Sequence, residues 1–210
     1  AFPVENLTMF IYNVLMSTGY KNITAKRFAL LATLGGSLFH AGDLANAWQI
    51  SNPNTLYTIL KRYCQNGIFY RIYKGLYSLV PVGKLNPVEL GLKALHRYAY
   101  VSLETVLFDE GFISQPPQVI TFVSSVSRKF VIGPNHYTCH RLRTTALFNP
   151  LGLDPKSPYF RATPERAIAD LLYDEENAGL RNSAFELLIK LGDPAVPELE
   201  LRLKDKDPEM

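Results

Sequence analysis

Hydrophobic positions along residues 23–80 repeat first at helical and then at strand spacing, and that change of period predicts helix, helix, turn, helix and hairpin in order. A mainly apolar stretch at residues 7–17 predicts an earlier helix, broken by residues 19–22. Thr24 is placed to cap a helix running to Leu34, with Phe28, Leu31 and Ala32 at packing spacing and Gly35-Gly36 ending it. Residues 37–39 suit a short strand, and residues 41–48 a second helix that buries Leu44, Ala47 and Trp48. After a turn at residues 49–52, Asn52 can accept from the free amides of the next turn, while Pro53 suits the first helical position because it has no amide to satisfy. At about 100° per residue, Leu56, Ile59, Leu60 and Tyr63 form one apolar stripe. Asn54, Thr58, Lys61 and Gln65 fall opposite, with Tyr57 and Arg62 flanking them.

Ile68, Tyr70 and Ile72 then alternate with Phe69, Arg71 and Tyr73, the period of a strand with one buried face. Lys74-Gly75 makes the turn, residues 76–80 return as a second strand, and residues 81–87 form an exit linker with a boundary near Lys84. Beyond it, residues 87–98 predict a helix, and Ser102 caps another that runs to Glu110 and stops at Gly111. Three short runs, VITFV, RKFVI and HYTCHRL, are separated by turn residues and predict a small antiparallel sheet. Thr163-Pro164 starts a further helix with Ala167, Ile168, Leu171 and Leu172 on its buried face. The last thirty or so residues suggest two helices broken at Asp193-Pro194, similar to one HEAT unit, and one unit cannot form a solenoid. The expected fold class is α+β. It comprises an N-terminal helical extension (1–22), a winged helix-turn-helix (23–85), and a C-terminal α+β domain (86–210) with a small antiparallel sheet and a helical tail.

Composition narrows the function classes. With 210 residues, 47% of them hydrophobic, the chain can bury one large core or two small ones, and the change of pattern near Lys84 favours two. No apolar run is long enough for a membrane span, and the opening AFPVENLTMF lacks the basic flank of a secretory signal, so a cytoplasmic protein is expected. Cys64 and Cys139 stand alone, without CxxC spacing, which argues against a disulfide framework or a zinc knuckle. A net charge of +3 says little, but its distribution says more. Residues 44–88 contain no Asp or Glu against Lys61, Arg62, Arg71, Lys74 and Lys84, whereas residues 165–210 carry twelve acids against six bases. A polyanion would meet the first block and avoid the second.

The acid-free block suits a reading helix and wing. Asn54, Thr58, Lys61 and Gln65 would meet base edges in the major groove, and Tyr57, Arg62, Arg71, Tyr73 and Lys74 would meet phosphates or the adjoining minor groove. The alternative for each side chain is ordinary solvated surface. Arg128, Lys129, Arg141 and Arg143 would lengthen the DNA-facing surface, or else decorate a solvated sheet face. Other chemistries are less well supplied. His136 and His140 share a strand face from which Cys139 points away, so a metal site there lacks a full ligand set. Asp109 and Glu110 are neighbours and are read as the solvated end of a helix. Gly36-Ser37 resembles a nucleotidyltransferase opening, but only Asp43 follows where paired carboxylates are needed. No GxxxxGK loop or nucleophile elbow is present, and no D/E-x-K triad stands at usable spacing, so the chain reads as no enzyme and no cofactor is expected. Two rival readings remain: a protein-interaction module using the helix and the acidic tail, and a nuclease built on the β-rich middle.

The ordered set of features resembles the AbiEi-type antitoxins of type IV toxin–antitoxin, abortive-infection systems. The resemblance rests on GGSLFHAGDL, the helix after Pro53, and NGIFYRIYKGLYSLV with Gly67, Arg71, Gly75, Tyr77 and Leu79. It continues through YVSLETVLFDEGFISQPPQVITFVSS, with Ser102, Leu103, Gly111 and Pro117, to RATPERAIADLLY, with Pro164, Glu165, Arg166, Ala167, Asp170 and Leu171. It implies an N-terminal winged helix that represses its own operon by binding inverted repeats in double-stranded DNA, hence two copies on the DNA. It further implies a C-terminal domain that antagonises a nucleotidyltransferase-like toxin, and no catalytic residues. The apolar lead-in before Lys21 and the HEAT-like tail depart from the pattern.

Overall fold

The computed structural model describes residues 23–173; the helix expected within residues 1–22 and the HEAT-like tail lie outside the described residues. The fold is mixed α and β, with seven α-helices and two small sheets among the described residues. The chain divides into two compact units, Ala1–Asn86 and Pro87–Met210.

In the first unit the order is α1 (Ile23–Leu34), β1 (Leu38–His40), α2 (Ala41–Trp48), α3 (Pro53–Gln65), β2 (Tyr70–Tyr73) and β3 (Leu76–Ser78). The three strands form an antiparallel sheet in the order β1-β3-β2. Thr24 is buried inside α1 rather than capping it, and Gly35 and Gly36 end that helix with φ of 68° and 79°, a region open to glycine. Apolar faces of the helices and the sheet meet in one core built around Phe28, Leu44, Trp48, Leu60, Tyr63 and Phe69. The expected strand alternation fails at its start. Ile68 and Phe69 are consecutive and both buried, because they form the bend from α3 into β2. Their amides both bond to the Tyr63 carbonyl, at 2.9 and 3.2 Å.

The second unit runs α4 (Pro87–Leu95), β4 (Ala99–Val101), α5 (Glu104–Asp109), β5 (Ile120–Ser124), β6 (Arg128–Ile132), β7 (Asn135–Arg141), α6 (Thr144–Leu147) and α7 (Pro164–Tyr173). Its sheet corrects the antiparallel expectation: the order is β4-β5-β7-β6, and β5 pairs with β7 in parallel. The β6–β7 hairpin inserts its second strand beside β5, a non-local pairing that no run of residues announces. The helix expected over residues 87–98 ends at Leu95, residues 96–98 turn the chain, and β4 follows at once by pairing with β5. On the outer side of β4, Val101 bonds across to Phe160 and Ala162, which covers that edge. α4 lies so close to the sheet that a Cβ on Gly91 would stand 2.5 Å from the Phe122 ring and 2.6 Å from that of Tyr137.

Ser102 does not cap α5; Leu103 occupies that position at φ 61°, and the Ser102 hydroxyl donates to Asp170 at 2.7 Å. Arg166, on α7, is fully buried. Its guanidinium donates to Asp170 at 3.1 Å, to the Tyr100 hydroxyl at 2.7 Å and to the carbonyls of Ala146, Asn149 and Leu151. Five donors in a fixed fork thereby join α7 to β4 and to the loop after α6. Asp109 and Glu110 lie exposed at the end of α5, as expected. Arg161 bridges both, at 2.9 and 3.3 Å.

Candidate nucleic-acid interface

The Asn52 side chain accepts from the amides of Asn54 at 2.9 Å and Thr55 at 3.4 Å, so α3 begins where its capping chemistry dictates. Leu56, Leu60 and Tyr63 are buried and Ile59 is half-buried, which fixes the rotation of the helix. Asn54, Tyr57, Thr58, Lys61, Arg62 and Gln65 are left exposed. Tyr57 keeps 51% of its surface in water, an unusual outlay for an aromatic side chain without an external contact. Thr58 is partly committed, since its hydroxyl donates to the Asn54 carbonyl at 2.8 Å and so offers an outside group lone pairs rather than a proton.

The ribbon stands against this helix. Burial raises the pKa of the Cys64 thiol, and the charge of Arg71 and a hydrogen bond to the Arg71 backbone counteract that rise. The last turn of α3 and the start of β2 are therefore in contact. Burial likewise raises the Tyr77 phenol; Arg71 lowers it again, and Cys64 and Tyr57 raise it. Tyr57, Cys64, Arg71 and Tyr77 thus form one group spanning the seam between helix and ribbon. Arg71 is exposed opposite Tyr77, Tyr73 is half-buried opposite Leu76, and the pairing shifts register between them. Such a bulge twists the ribbon locally. Lys74 is exposed in the turn beside Gly75, whose φ is 68°.

The four basic residues of the second unit do not share a face. Arg128 and Lys129 are consecutive on β6 and point to opposite sides of the sheet, with the Arg128 guanidinium 5.3 Å from the Phe130 ring centre. Arg141 is exposed at the end of β7, and Arg143 is exposed at the start of α6. Among the described residues, no group of three or more His, Cys, Asp or Glu is placed to hold a metal ion. Sequence reasoning overlooked the part Cys64 and Tyr77 play in joining helix to ribbon. Their signal was faint: a cysteine on the edge of an apolar stripe and a tyrosine in the return strand.

No protein-family model matches the chain, and no curated protein matches it. No helix among the described residues is long and apolar enough to cross a membrane.

Proposed function

We propose that the first unit is a winged helix that binds double-stranded DNA, with α3 in the major groove and the β2–β3 turn as its wing. The observation that carries this reading is the exposed face of α3, whose amides and cations adjoin Arg71 and Lys74 in a stretch, residues 44–88, free of Asp and Glu. The order helix, strand, helix, helix, strand, strand supports it as well. In this arrangement Asn54 and Gln65 read base edges, Thr58 accepts from them, and Lys61, Arg62, Arg71 and Lys74 neutralise phosphates. Tyr57 and Tyr73 lie along the backbone.

The full reading is a cytoplasmic, non-enzymatic regulator of the AbiEi antitoxin type. Two copies occupy an inverted repeat upstream of its own operon, and the C-terminal domain antagonises a nucleotidyltransferase-like toxin. Support for the antitoxin half is the resemblance in residues 100–125 and 161–173. Gel retardation of the gene's own upstream duplex by the full chain, repeated over a salt series, tests the DNA reading. Retardation that weakens steeply with salt is expected, and none at low salt would overturn it. Growth rescue on co-expression with a toxin-like neighbouring gene tests the other half.

A further inference from the structure

One face of the second unit's sheet is only partly covered. Thr121 pairs with Thr138, and Thr138 with Lys129, so the three lie in one row across β5, β7 and β6 on the same face. α5 covers this face over β5. Where its cover ends, a cleft of about 280 Å³ opens, with Glu104 on its wall and Arg128, Lys129, Thr138 and His140 around it. Along the row the side chains pass from buried Thr121 to half-buried Thr138 to exposed Lys129.

Glu104 is the anomaly. Its Oε2 is buried and accepts no hydrogen bond among the described residues. A buried carboxylate oxygen without a donor is costly enough that native folds almost always supply one. Lys129 faces the same cleft, and no ion pair joins the two. Opposite charges held apart across a polar cleft suit a guest that carries both complementary charges.

We propose that this cleft binds a small zwitterion of the amino-acid class, its ammonium paired with the Glu104 carboxylate on the cleft wall and its carboxylate held by Lys129. Thr138 adds a hydroxyl that can donate or accept as the guest requires. The volume sits near the lower end of ligand pockets, about 300 Å³, which fits one amino acid and excludes a longer peptide. A metal ion is poorly served by one carboxylate and one imidazole. The site is independent of the DNA reading, since it uses only side chains of the second unit.

The test is isothermal titration calorimetry and thermal unfolding of the full chain with each common amino acid at millimolar concentration. Saturable binding by one or a few of them is expected, with a matching rise in melting temperature. Lys129→Ala, an exposed change that leaves the fold intact, should weaken that binding by about tenfold or more, as loss of a charged hydrogen-bond partner does. Glu104→Gln should weaken it comparably. Absence of saturable binding by every amino acid would overturn the proposal, as would binding that Lys129→Ala leaves unchanged.

Discussion

Arg166 and Asp170 lie one turn apart on α7 and form a 3.1 Å ion pair in which both side chains have no exposed surface. Burial opposes the charge of the guanidinium, but Asp170 and the Tyr100 hydroxyl more than compensate, so its pKa lies above the ordinary arginine value. Asp170 is in turn fixed by the Ser102 hydroxyl. Removing one partner strands the other in a dry site. Arg166→Ala should cost about 3–5 kcal/mol, as broken buried pairs do. Urea unfolding measures it, and a loss under about 1 kcal/mol, the range of exposed pairs, would mean that water reaches the site.

Gly91→Ala should destabilise the second unit by about 1–3 kcal/mol, the usual range for overpacking. The new methyl would collide with Phe122 and Tyr137, whose rings are buried and stacked 5.9 Å apart, while the Tyr137 hydroxyl is bonded to the Pro87 carbonyl. A lowered melting temperature with unchanged far-ultraviolet dichroism is the expected signature.

Asn52→Ala removes the acceptor for two amides at the start of α3 and should cost about 1 kcal/mol. Asn52→Gly should cost only a few tenths of a kcal/mol, roughly, because glycine is itself tolerated at this position. Comparing the two by chemical denaturation separates capping from general disruption.

Lys61→Ala and Lys74→Ala should each weaken binding to all duplexes and flatten the salt dependence by about one unit. Asn54→Ala should instead alter which sequence is preferred. Equal losses on every sequence for Asn54→Ala would remove that residue from the reading set.

Stability should fall in alkali. Burial raises the Cys139 thiol from 9.0 and the Tyr137 phenol from 10.0, each to about 12. The folded chain then keeps protons that the unfolded chain releases, so these two contributions are whole below pH 9 and decline as pH rises toward about 12. Cys139→Ala should delay the onset to nearer pH 10, where the phenol begins to act alone. Denaturation midpoints at a series of alkaline pH values check the sign.

The sequence announced α3 best, because Asn52, Pro53 and the stripe from Leu56 to Tyr63 are local chemistry that needs no distant partner. β4 escaped notice since its three residues become a strand only by pairing with β5. The parallel register of β5 and β7 escaped for the same reason: three β-rich runs in succession read as a simple meander. The family resemblance marks Arg166 and Asp170 without a role, and Ser102 reads from the sequence as a helix cap. Spacing of four residues on a helix fits an exposed ion pair as well as an enclosed one, so their meeting in the interior was not legible. In the proposed interface the exposed face of α3 could be read directly, whereas its contact with Arg71 through Cys64 depended on how the ribbon folds back.

The strand order β5-β7-β6 means that the central strand of this region is the last of the three to leave the ribosome. Until Asn135–Arg141 has emerged, β5 and β6 have no strand between them, and a chain halted at Ile132 would leave the inner edge of β5 unpaired. Synthesis of Asn135–Arg141 therefore closes the gap between β5 and β6, and the outer edge of β4 waits for Phe160 and Ala162.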